Sequence, residues 1–209
     1  MAPRKTKPLF ITFEGIDGSG KSTQALLTYK YLIGLGKDVI LLREPGSTMV
    51  AEKIRNILLD KKSNITDTTE LLLYEAARTE IVDKEIIPAL KRGTIVLCDR
   101  FYDSTTAYQG FGRKLDIRMV KSLHKIAVGS LTPDLTLVFD LDLATAAGRR
   151  GKTKDRLESQ PKAFFTRVRK GFLEIARKER SRVKVIDAVR PVDKIFEDVK
   201  AYLSKKIEK

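Results

Sequence analysis

A three-layer α/β fold, one five-stranded parallel sheet with helices on both faces, is predicted by three features of this sequence. Five short runs, Leu9–Glu14, Asp38–Arg43, Thr94–Asp99, Leu135–Asp140 and Val183–Asp187, are apolar throughout rather than alternating, as strands covered on both faces must be. Helical patterns separate them, and β–α alternation with right-handed crossovers yields a parallel sheet. The first strand also runs through a glycine-rich turn into a helix, the local order of a phosphate-cradling loop.

The helices are expected at Ser22–Leu35, Val50–Leu59, Thr69–Lys91, Ile117–Val128, Ala144–Arg150, Pro161–Lys178 and Val192–Lys206. Gly34 and Gly36 end the first, and Asp67 followed by Thr69-Glu70 marks the start of the third. The 209 residues suit one domain over residues 9–209, preceded by a basic tail at residues 1–8. That start has charge but no apolar stretch of secretory type behind it, and no run reaches the roughly 18 apolar residues of a membrane helix. Cys98 is the single cysteine, which excludes an internal disulfide or a thiolate metal cluster and fits a reducing, cytoplasmic setting. It reads as a small core residue. The net charge of +14 is concentrated between Arg149 and Lys184. No RNA-binding aromatic signature accompanies it, so no nucleic-acid partner is expected; a phosphate-handling cleft and solvated helix surface account for the surplus.

Residues 15–22, Gly15-Ile16-Asp17-Gly18-Ser19-Gly20-Lys21-Ser22, complete a G-x-x-x-x-G-K-[ST] loop. Its glycines let successive N–H groups turn inward on phosphate oxygens, and the following helix adds the positive end of its dipole. Lys21 then reaches the β- and γ-phosphates and Ser22 can ligate Mg²⁺, which predicts a nucleoside triphosphate as ligand.

Ligands of such sheets sit beyond the carboxyl ends of the strands. After the second strand come Arg43-Glu44-Pro45-Gly46, either a turn alone or two cleft residues and a turn. After the third come Asp99 and Arg100, either a water-mediated Mg²⁺ holder with a phosphate grip or an ion pair capping the next helix. Tyr74 and Arg78, four apart on one helix face, suit a stacked base with a nearby phosphate, or equally a surface cation–π contact. The basic stretch Gly148–Glu158 is either a lid bringing arginine to a transferring phosphoryl group or a solvated turn. His124 has no partner in sequence and no role is assigned to it.

Taken together, Phe13 to Thr23, Arg43-Glu44-Pro45-Gly46, Cys98-Asp99-Arg100, Ser104-Thr105-x-Ala107-Tyr108-Gln109-Gly110, Pro133-Asp134-Leu135-Thr136, Asp155-Arg156-x-Glu158 and Val185-Ile186-Asp187-Ala188 resemble the thymidylate kinase family from about Leu9 to the chain end. The resemblance implies the P-loop kinase fold with a lid over about 149–160, and ATP-dependent phosphorylation of dTMP with Mg²⁺. Gly15 to Ser22 would hold ATP. Asp17 would lie near the sugar hydroxyl or, with Ser22 and Asp99, the metal. Tyr74 would stack on thymine. Arg78 and Arg100 would grip the dTMP phosphate, with Glu44 and Arg55 close by. Thr105 and Gln109 would meet the base edge, and Tyr108 would crowd the 2′ position. Lys21, Arg100 and the lid arginines Arg149, Arg150 and Arg156 would carry catalysis. Gly18 stands where one type of the family has an arginine, so the chain resembles the bacterial, lid-arginine type, usually a homodimer. It departs from that pattern at Ser47, in place of a second glycine, at Tyr74, in place of a phenylalanine, at Ala77, and in a slightly longer lid.

Other kinases of mononucleotides on the same fold remain the nearest alternative. A GTP-binding switch is excluded, because Thr153-Lys154-Asp155-Arg156 lacks the spacing of a base-reading motif and Asp99-Arg100-Phe101-Tyr102 lacks the required glycine.

Overall fold

The computed structural model describes residues 8–149, 151 and 155–207. The basic tail therefore lies almost wholly outside the described residues, as do Arg150 and Lys152 to Lys154 of the lid. One parallel sheet contains β1 (Phe10–Glu14), β2 (Val39–Arg43), β3 (Ile95–Asp99), β4 (Leu135–Asp140) and β5 (Val183–Asp187), in the order β2-β3-β1-β4-β5. Each strand falls within a residue of its predicted span. The order reverses direction at β1, so a crevice opens beyond its carboxyl end. Register brings Arg43 and Phe13 level with Asp99, which gathers three strand ends at one rim.

Both sheet faces are buried, which explains the uninterrupted apolar runs. Ile11 and Phe13 pack into one core with Leu137, Phe139 and Phe172, and Phe10 packs into the other with Val96, Cys98 and Phe101. Cys98 is fully buried there, as its surroundings in sequence imply.

The first helices follow their signals. α1 (Lys21–Gly34) ends where Gly36 takes φ +69° and the Lys37 N–H returns to the Leu32 carbonyl. α2 (Met49–Leu59) is capped by the Thr48 hydroxyl and α3 (Asp67–Ile81) by that of Thr66.

The long helix expected to Lys91 is instead α3, a π turn over Val82–Ile86, and α4 (Ile87–Arg92). Pro88 supplies the reason: its ring clashes with the carbonyl four residues earlier, and a widened turn relieves that clash. A larger difference follows β3. Residues Tyr102–Thr105 form α5, and a π-helical segment continues over Thr106–Gly112, where no helix is expected from the sequence. Adjacent β-branched Thr105 and Thr106 with two glycines argue against helix locally. Packing overrides them: a Cβ on Gly112 would lie 2.6 Å from the Phe164 ring, so only glycine lets this segment close on the helix carrying Phe164.

The remaining helices are α6 (Ile117–Val128), α7 (Leu143–Arg149), α8 (Lys162–Lys178) and α9 (Val192–Ile207). Among the described residues no helix is long and apolar enough to cross a membrane.

Behind the rim, a buried Arg182 makes a bidentate pair with Asp103 at 2.7 and 3.0 Å and bonds Thr136 of β4. It ties α5 to the sheet. Arg182→Met should cost about 3–5 kcal/mol, because the Asp103 carboxylate is left buried without its partner. A loss below about 1 kcal/mol in urea denaturation would show that the pair does not brace α5.

Candidate active site

The glycine-rich loop has the backbone its spelling requires. Gly15 takes φ +144° and Gly18 φ +87°, and a Cβ on either would run into a carbonyl, that of Phe139 or Ala146. Gly20, also left-handed at φ +84°, caps α1 without a side-chain bond. The first amides of α1 thus remain available to an anion. Lys21 and Ser22 line an open hollow of about 1210 Å³ together with Gly18 to Gly20, Arg149 and the Val189–Val192 loop.

A second hollow, about 540 Å³, opens beside it. Asp17, Glu44, Arg55, Tyr74, Arg78, Arg100, Thr105, Tyr108 and Gln109 all line it, so the residues read as acceptor-binding converge on one place. Asp155 and Leu157, within the predicted lid, complete its wall.

Asp17, on the wall of the smaller hollow, reaches Lys21 on the wall of the larger. Its Oδ1 lies 2.5 Å from Arg100 Nη2 and 3.5 Å from Lys21 Nζ, and its Oδ2 accepts from the Tyr108 hydroxyl at 3.1 Å. Burial pushes the Asp17 carboxyl up, but the charges of Arg100 and Lys21 outweigh it and hold the group well below the usual range. Lys21 is itself shifted down, by burial first and then by the nearby Arg100 charge.

Arg100 reaches this position from a left-handed backbone, φ +72°, uncommon for a residue with a side chain. Its N–H donates to Phe13 and its Nη1 to the Gly15 carbonyl at 2.9 Å. The alternative of an Asp99–Arg100 ion pair is not what forms, since Arg100 pairs with Asp17. Asp99 Oδ1 is buried and takes no hydrogen bond among the described residues, so it can still hold a water of a Mg²⁺ shell. Among the described residues no cluster of three or more acids, histidines or cysteines would hold a metal alone.

Arg78 is not a surface residue stacked on Tyr74. It is 1% exposed, lies over the Phe101 ring, and donates to Glu44, Glu75 and Thr105, each at 2.8 Å. Two carboxylates therefore offset its charge. Arg55 differs: its bond goes to the neutral Pro45 carbonyl at 2.8 Å. Tyr74 lies half-buried at the hollow wall. Burial, with the Glu70 charge behind it, raises its hydroxyl well above the ordinary range, so it stays a neutral stacking face. Ser47, at φ +67°, closes the Arg43–Pro45 turn by bonding both backbone groups of Arg43.

The lid arginines separate. Arg149 donates to the Ala188 and Val189 carbonyls at 2.7 and 3.1 Å, at the rim of the larger hollow. Arg156 donates to the Leu58 carbonyl and meets Glu70 at 2.6 Å, on the side of the smaller one. Arg150 lies outside the described residues.

Several residues were not legible in sequence. Glu14, fully buried, accepts from the Phe101 N–H at 2.7 Å and the Ser104 hydroxyl at 2.5 Å, seating the segment that carries Arg100. Glu75 binds both Arg78 and His124, whose other ring nitrogen meets Thr106. Gln24 donates to the Val192 carbonyl and anchors the far loop of the larger hollow. Only the distances reveal Glu75 as a counterion and Glu14 and Gln24 as anchors.

The thymidylate kinase family model matches residues 13–199. This chain belongs to the thymidylate kinase family. It is 48% identical to the thymidylate kinase of Kosmotoga olearia over 193 residues, 91% of this chain and 93% of that one. It is 46% identical to that of Prosthecochloris aestuarii over 202 residues, 91% of each. A crystal structure of thymidylate kinase from Ehrlichia chaffeensis superposes with a TM-score of 0.79 at 38% identity, covering 94% of this chain and 98% of the other.

The buried acids of this family member predict a pH dependence. Burial, then the Asp103 charge, pushes Glu14 up to about 8, and burial pushes Glu44 up to about 7 against the pull of Arg78. Unfolded, both titrate near 4.5, so over the interval between, the folded protein holds protons the unfolded chain has released. Their stabilising contribution is complete below about 4.5 and is lost as pH rises through about 7 to 8. The acids held low, Asp17, Glu70 and Glu75, act in the opposite sense only below their unfolded values. Urea midpoints should therefore fall from about pH 5 to about pH 8, and Glu14→Gln should flatten the fall. A wild-type midpoint that climbs across this range would contradict the assignment.

Proposed function

We propose that this enzyme transfers the γ-phosphoryl group of ATP to the 5′-phosphate of dTMP, giving dTDP for dTTP synthesis. The observation that carries the reading is the Asp17 carboxylate, which contacts Lys21 on the wall of one hollow and Arg100 on the wall of the other. One is built from the amides of α1 and Lys21, the other from Arg55 and Arg100 below a base-sized slot walled by Tyr74.

The acceptor oxygen is already anionic, so no general base is required. The obstacle is holding two polyanions in line, and positioning with charge neutralisation supplies most of the catalysis. Lys21 and the α1 amides hold the donor's β- and γ-phosphates. Arg100, presented toward Lys21 by Asp17, holds the acceptor phosphate together with Arg55, whose charge no hydrogen-bonded carboxylate offsets. Arg78, offset by Glu44 and Glu75, suits a neutral carbonyl oxygen of the base better than a phosphate dianion, and we assign it there. Tyr108, 5.2 Å beneath the Arg100 guanidinium and bonded to Asp17, fills the space a 2′-hydroxyl would need.

Mg²⁺ travelling with ATP would be held by Ser22 and, through water, by Asp99, and would neutralise charge on the β- and γ-oxygens. Arg149, fixed over the Ala188–Val189 carbonyls, belongs to the far end of the donor hollow, where the nucleoside of ATP would lie. Arg156 braces the acceptor side.

With Mg-ATP and a panel of nucleoside monophosphates, dTMP should be the preferred acceptor, and Lys21→Ala should lower kcat by about 100-fold or more while melting near the wild-type temperature. A preference for AMP or GMP, or near-normal turnover by the variant, would overturn the reading.

A further inference from the structure

Glu70 occupies the first turn of α3, fully buried, and its carboxylate gathers an unusual set of donors. Gln109 Nε2 donates to Oε1 at 2.8 Å, Arg113 donates to both oxygens at 3.0 and 2.9 Å, and Arg156 lies 2.6 Å from Oε2. Two guanidinium groups keep it ionised, and Asp67, 3.3 Å from Arg113, adds a second carboxylate at the edge of the cluster. An ionised carboxylate only accepts, so the amide end of Gln109 facing it must be the NH₂. Turning that amide over would set a carbonyl oxygen against a buried anion and exchange a charge-assisted hydrogen bond for repulsion.

The consequence falls on the acceptor hollow. Glu70 takes one of the two N–H groups of Nε2 and so holds that end of the amide, which turns Oε1 away from the carboxylate; Oε1 takes no hydrogen bond among the described residues, and Gln109 lines the hollow. Four residues earlier on the same segment, Thr105 bonds Arg78, which brings a group that can only donate to the same wall. The wall thus pairs a donor with a fixed acceptor. Thymine presents the complement, a carbonyl acceptor at position 4 beside an N–H donor at position 3. Cytosine presents the reverse at both places, an amino donor and a bare ring nitrogen.

We propose that Glu70 is a positioning residue for base selection: by fixing the Gln109 amide it makes the acceptor hollow admit a 4-oxo pyrimidine and refuse a 4-amino one. This rests on the reading of that hollow as the nucleoside monophosphate site. Glu70 does not touch the base; it acts through Gln109. A site whose hydrogen-bonding groups oppose those of a competitor discriminates far more strongly than one that differs by a methyl group.

The test compares kcat/KM for dTMP and dCMP, at saturating Mg-ATP, in the wild type and in Glu70→Gln. A neutral amide at position 70 can donate or accept, so Gln109 is released to turn. The dTMP to dCMP ratio should fall by about tenfold or more, with the KM for ATP within about twofold of wild type. A residue with a purely structural role would lower both values together and leave the ratio unmoved, and that result in a folded variant would overturn the proposal. The wild type offers a check that needs no variant: hydrogen exchange of the Gln109 side-chain NH₂, followed by NMR on protein labelled at glutamine nitrogen. Protection is expected, and rapid exchange like that of a solvent-facing amide would overturn the proposal. Absence of dTMP phosphorylation by the wild type would defeat the functional reading itself. Phosphorylation of dTMP and dCMP with equal efficiency would overturn this inference while leaving phosphoryl transfer to dTMP standing.

Discussion

The carboxylate of Asp17 stands between Lys21 and Arg100, and the geometry of the rim follows from that contact. Two cations a few ångströms apart in a poorly solvated crevice repel by several kcal/mol, unless an anion lies between them. The glycine-rich loop supplies the anion from its own third position, so one turn of backbone both shapes the larger hollow and holds Arg100 at the smaller one. Arg100 can reach it because β3 ends level with β1 and the chain then takes a left-handed step. Strand order, register and one unusual dihedral therefore combine to place the group that bridges the hollows.

The same requirement recurs around the acceptor hollow, with different chemical results. Arg78 has two buried carboxylates and serves as an oriented donor with little net charge. Arg113 and Arg156 share Glu70, which braces the lid segment around Arg156 against α3. Arg55 has the Pro45 carbonyl and, among the described residues, no hydrogen-bonded carboxylate. Arginines that look alike in sequence thus divide into charge carriers, donors and braces according to which acids the fold brings to them.

That division marks what the sequence could convey. The five strands were legible because a parallel sheet buried on both faces leaves uninterrupted apolar runs, and the loop from Gly15 to Ser22 because its backbone demands those residues in that order. The segment Tyr102–Gly112 was not, since its threonines and glycines oppose helix locally and only its packing against α8 makes it helical. Glu14, Glu70 and Glu75 were equally hidden. An acid that ends up buried beside a partner 43, 49 or 90 positions away is spelled like one on the surface. The family resemblance supplied the membership of the acceptor wall, whereas the roles of Arg78, Arg149 and Arg156 depended on distances.

The central claim is that two nucleotide hollows open onto one another at Asp17. It is tested most directly by calorimetric titration with adenosine joined 5′ to 5′ with deoxythymidine through five phosphates, compared with dTMP and ATP separately. If the hollows are continuous, the second half binds at high effective concentration, and the linked ligand should bind at least about 100-fold more tightly than either nucleotide. An affinity no better than that of the tighter single nucleotide would mean that the hollows do not communicate, and the account would fail.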